Sequence, residues 1–138
     1  MTLVDVQEAS SVELNETSYR QGSGYEKYTA VSTPGGKYLT VKTRVLNDGR
    51  GSIDLTCGYP VGTHIVDSKD GRFDSIGSLY RVRGNPECNY ALQPGFQVDM
   101  TWVYMVPETA TVAAWEFEDV ENHDWDAGPQ AATVIHFD

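Results

Sequence analysis

Six carboxylates crowd the eleven residues Glu116-Phe117-Glu118-Asp119-Val120-Glu121-Asn122-His123-Asp124-Trp125-Asp126. Hard cations such as calcium take several oxygens from a short flexible loop, and Glu118, Asp119, Glu121, Asp124 and Asp126 are the side chains that would supply them. The spacing does not match an EF-hand and lacks its central glycine, so a solvated acidic loop between the last two strands is the simpler expectation. Calcium is the one cofactor the residues suggest. His123, with Asp124 and Asp126 nearby, is the only candidate for a general base or an imidazole ligand. His64 and His136 alternate with apolar neighbours and are expected on the outer faces of strands. A second acidic stretch, Asp67 to Asp74, carries Lys69 and Arg72, whose positive charge opposes a cation; its Asp70-Gly71 pair reads as the apex of a hairpin.

Nucleophilic catalysis finds no support. There is no Gly-x-Ser-x-Gly elbow, and neither Cys57 nor Cys88 has a histidine close in sequence. Neither cysteine belongs to a Cys-x-x-Cys pair, which argues against zinc or redox chemistry. Both sit in polar, loop-like surroundings, and a disulfide between them is the favoured reading, with two unrelated thiols as the alternative. The bond would close a loop of about 30 residues and contribute roughly 3–4 kcal/mol. Paired acids for glycoside hydrolysis stay open, because their separation is a spatial property. Exposed aromatic rings stack on sugars or anchor protein partners. Tyr59, Tyr80 and Trp125 lie in loop-like or edge contexts and are the candidates for that role.

The totals narrow the field. A chain of 138 residues is one domain by length, and such a domain buries roughly two-thirds of its unfolded surface. The 40% apolar and 11% aromatic content fits a globular fold rather than a disordered chain. A net charge of −10 repels phosphate backbones and anionic membranes, so nucleic acid is not an expected partner; an unknown protein or glycan is. No apolar run reaches the roughly 20 residues that cross a bilayer. Met1 to Asp5 lacks the basic start and apolar stretch of a leader, which fits either a cytosolic protein or one whose leader lies upstream.

The elements that must position these groups are strands. Leu92 to Pro107 opens on a Pro-Gly turn and places Val98, Met100, Trp102, Tyr104 and Val106 on one face. Lys37 to Asn47 does the same with Leu39, Val41, Thr43 and Val45, leaving Thr40, Lys42 and Arg44 to solvent. Further strands are expected over 111–117 and 132–137, and weaker ones over 3–6, 12–14, 25–31, 52–57, 63–67 and 78–82. Turn signals such as Thr33-Pro34-Gly35-Gly36 and Asn47-Asp48-Gly49 punctuate them. No stretch shows a capped helical repeat. The fold class is therefore all-β, an antiparallel Ig-like sandwich of two sheets, in a single domain spanning 1–138. Trp102, Tyr104, Met100, Leu39, Val41, Val45, Trp115 and Phe117 form much of its core, and the polar stretch 1–24 is expected to be partly mobile.

Three stretches carry a family likeness: Gly36 to Gly49, a long strand ending in Asn and a Gly turn; Val66 to Phe73, with its Asp-Gly hairpin; and Leu92 to Pro107 with the strand after it. In order and spacing they resemble a bacterial family of secreted Ig-like (telokin-like) domains typified by the mycobacterial immunoprotective extracellular antigen. The resemblance implies a secreted or cell-envelope protein, with no established catalytic function and hence no catalytic residues to carry over. The two cysteines and the acidic tail depart from the family pattern. The expected function is a non-enzymatic interaction domain of the cell exterior, with a calcium-binding or carbohydrate-binding module as the alternatives.

Overall fold

The computed structural model describes residues 2–16, 24, 27–58, 61–119 and 133–137. The described residues form nine strands: β1 (Thr2–Ala9), β2 (Val12–Asn15), β3 (Tyr28–Val31), β4 (Gly36–Leu46), β5 (Val61–Asp67), β6 (Arg72–Asp74), β7 (Gln97–Pro107), β8 (Val112–Asp119) and β9 (Thr133–His136). They form an antiparallel sandwich with sheet orders β1-β4-β7 and β6-β5-β8-β9, plus a small β2–β3 ribbon. Its spine is the eleven-residue pairing of β4 with β7, in which Val41 lies opposite Trp102 and Leu39 opposite Tyr104. These are the two segments whose apolar period of two is cleanest, and their inward faces are buried from Leu39 to Val45 and from Met100 to Val106, with Val98 half-buried. Trp115 from β8 completes the core, with Phe117 half-buried against it, ring centroids 5.0 Å apart.

Polar groups inside the core are satisfied in chains. Trp102 donates its indole N–H to the Thr43 hydroxyl (3.0 Å), which donates to the Met100 carbonyl (2.9 Å). Trp115 donates to the Tyr104 oxygen (2.7 Å), and Tyr104 donates to Thr63. An unpaired buried donor costs its full desolvation, so these hydroxyls are what allow two indoles to be buried whole.

Among the described residues, backbone pairing joins the two sheets along one side. After pairing with β5, the chain leaving β6 crosses to β7: Ser75 bridges Tyr104, and the Ile76 amide donates to the Val103 carbonyl (2.8 Å). Farther along the same edge, Asn85 substitutes for a strand. Its side-chain oxygen accepts from the Thr101 amide (2.7 Å) and its NH2 donates to the Thr101 carbonyl (2.8 Å). Val103, on the face that alternation assigns to solvent, is fully buried.

Two expectations are corrected. The segment 52–57 is no strand: beyond the Ile53–Leu92 bridge, the Asp54 carboxylate captures the amides of Thr56 (3.2 Å) and Cys57 (3.0 Å) and turns the chain. The segment 78–82 is a 3-10 turn over Leu79–Arg81, with the Arg81 guanidinium donating to the Asn15 carbonyl (2.6 Å). The weaker strands expected over 3–6 and 12–14 lie within β1 and β2, and β1 pairs with β4 from Thr2 to Ala9. The Asp-Gly hairpin forms between β5 and β6, with Asp70 in the left-handed region (φ 63°) and Asp67 accepting from the Gly71 amide (2.6 Å). Among the described residues no helix is long and apolar enough to cross a membrane.

Candidate functional site

The densest set of reactive groups among the described residues lies on the outer face of the four-stranded sheet. Strand register places His64 opposite both Asp74 of β6 and Glu116 of β8, and Arg72 one step along. His64 Nε2 lies 3.0 Å from Asp74, and Arg72 reaches Glu116 at 2.8 Å. The Arg72–Glu116 approach lies off the hydrogen-bond axis of the half-buried carboxylate, so charge rather than alignment holds the pair. Arg72 also comes within 3.5 Å of His64 Nδ1. A guanidinium only donates, so in the neutral ring Nδ1 accepts and Nε2 carries the proton toward Asp74. Both ring nitrogens thereby face a partner, Asp74 on one side and Arg72 on the other. A small cleft beside the pair, about 260 Å³, includes Ser75, Thr63 and Trp102. His64 and Asp74 line this cleft together with Ser75. The expected outer-face placement of His64 and His136 holds.

A second cluster is structural. Cys57 and Cys88 are joined as a disulfide, with Cα atoms 5.2 Å apart. An Asp54 carboxylate oxygen lies within 4.8 Å of both sulfurs, yet the sulfurs are spent on each other and the carboxylate holds the amides of Thr56, Cys57 and Asn89. The arrangement ties the 53–58 turn to the 87–92 segment. Of the surface aromatic candidates, Tyr80 is half-buried in the 3-10 turn, while Tyr59 and Trp125 lie outside the described residues. So do Glu121, Asp124, Asp126 and His123; of Glu118 and Asp119 the backbone closes β8, and the calcium set is not brought together within the described residues.

The third feature is the side of the sandwich opposite the β6–β7 crossover. There β1 and β9 end their sheets, and among the described residues each is paired on one side only. Between them runs a groove of about 420 Å³, lined by Leu3, Val6, Leu39, Val112, Ile135 and Phe137, with Glu8 and His136 at its rim. A bulge between Leu3 and Asp5 inserts one extra residue, which lets Leu3 and Val6 share the inward face despite their odd spacing. Glu8 lies opposite core residue Leu39 and is tied to Lys37 (3.3 Å), whose ammonium also donates to the Ala110 carbonyl (2.8 Å). Sequence reasoning missed this seam. Its signal was Leu3, Val6, Ile135 and Phe137, apolar residues in short strands that could be assigned an edge only once the pairing was known.

No family model and no curated protein matches the chain. Two solved structures share its fold. One is an uncharacterized β-sandwich protein from Clostridium difficile 630, with a TM-score of 0.60 and 11% identity over 99% of this chain and 83% of that one. The other is a conserved hypothetical protein from Bacillus anthracis, with a TM-score of 0.51 and 15% identity over 88% of this chain and 82% of that one. At such identities the likeness concerns the fold: this chain is an antiparallel β-sandwich of the same architecture.

Proposed function

We propose that this chain is a non-enzymatic interaction domain of the cell exterior or envelope, and that it meets its partner along the β1–β9 seam. The seam carries the reading: inward-facing apolar side chains from both sheets line one continuous groove between two edge strands. Soluble domains usually cover or blunt such edges, and an edge left available beside an apolar groove is a recognition surface. The Cys57–Cys88 bond supports an oxidising compartment. The resemblance to secreted telokin-like domains supports the same location.

The test uses cells that produce the protein natively. A photo-crosslinking residue replaces Val4, which is 60% exposed on β1, and in a control Lys42, exposed on the outer face of β4. The reading expects a disulfide-bonded protein in the envelope or medium, with adducts specific to the Val4 position. Two free thiols in a cytosolic fraction, or the same adducts from both positions, overturn it.

A further inference from the structure

We infer that the seam takes an extended peptide strand from a basic partner, paired antiparallel to the edge of β1 that is unpaired among the described residues, with alternate apolar side chains over Leu3 and Val6 and a lysine or arginine facing Glu8. The inference rests on the interaction-domain reading above and specifies its ligand. Three observations select this occupant. First, the backbone groups on the outer edge of β1 can be met in register only by another strand, whose side chains on one face recur every second residue. The bulge removes the odd spacing between Leu3 and Val6, so along β1 the groove offers apolar, apolar and acidic positions at that same period: Leu3, Val6, Glu8. Second, the floor of the groove is apolar from both sheets, with Ile135 and Phe137 facing across from β9, so inserted aliphatic side chains leave water on both walls. Third, charge chooses between partners. A second copy of this chain would bring another net −10, and another Asp5 and Glu8, to the same edge. A basic strand meets opposite charge instead, and its cation competes for Glu8 with Lys37, which already holds the Ala110 carbonyl.

The experiment titrates the full chain with a fluorescent synthetic peptide of about nine residues, alternating valine and threonine with lysine at each end. Parallel titrations use the same peptide N-methylated at alternate residues and one ended in glutamate. Amide exchange maps the contact. The expected result is saturable binding, weakened about tenfold or more by N-methylation and by the glutamate ends, with new protection over residues 2–9. Glu8→Gln, at an exposed carboxylate whose loss spares the core, weakens the lysine peptide several-fold and leaves the melting curve near that of the parent. Equal binding of the N-methylated peptide, protection confined to another surface such as that around Leu46 and Phe96, or no binding to the folded protein each overturns the strand inference. None of these results bears on location or on crosslinking in cells, so the proposed function stands or falls separately.

Discussion

Trp102 and Tyr104 show how much of this fold hangs on single side chains. Trp102 is 1% exposed, packed between the sheets, with its one donor satisfied by Thr43. Trp102→Ala leaves a cavity in the spine and is expected to cost about 3–5 kcal/mol, read as a lower urea midpoint with an unchanged slope. Tyr104 is buried whole, and burial pushes its phenol well above the ordinary tyrosine range; hydrogen bonds to Thr63 and Trp115 pull the other way, and nearby Asp74 pushes with the burial. The folded phenol stays neutral where the unfolded one ionises, near about pH 10. The stability tied to it is therefore intact below that pH and falls as the solution climbs toward the raised value. An absorbance titration should find one phenolate that appears only with unfolding. In Tyr104→Phe that linked step disappears, while stability at neutral pH falls by about 1–3 kcal/mol because the Trp115 N–H loses its acceptor.

Elements were legible where the inward face keeps a regular apolar period, as in β4 and β7. They were illegible where side chains replaced backbone partners. Residues 52–57 have strand-like composition, but the Asp54 carboxylate satisfies the amides a neighbour would have paired. β1 is read short, over 3–6 of its full span Thr2–Ala9, because an edge strand needs few inward residues and its bulge breaks the period beyond. The His64–Arg72–Asp74–Glu116 face draws on three strands, so no local spacing could assemble it. Two predictions belong to this scale. Asn85→Ala strips Thr101 of both its partners at the edge of β7 and should cost about 1–3 kcal/mol, with faster amide exchange at Thr101 and Val103 than in the parent. Replacing both cysteines by serine frees a segment spanning 31 positions and should cost roughly 3–4 kcal/mol, seen as a lower melting temperature that reductant no longer changes.

At the scale of the whole molecule, charge and closure set the behaviour. Ten more acidic than basic residues repel one another within one small body, so added sodium chloride should raise the melting temperature by screening. A melting temperature that falls with salt would show that the surface pairs outweigh this repulsion. One-sided closure also bears on how the molecule ages. The β7 side is held partly by the amide of Asn85, 6% exposed, and asparagines decay when the next backbone nitrogen attacks the side-chain carbonyl. Here that nitrogen belongs to Pro86, which carries no hydrogen to surrender. The amide that stands in for a missing strand is thus shielded from the ordinary route of deamidation, and long storage should erode other asparagines before it loosens this side.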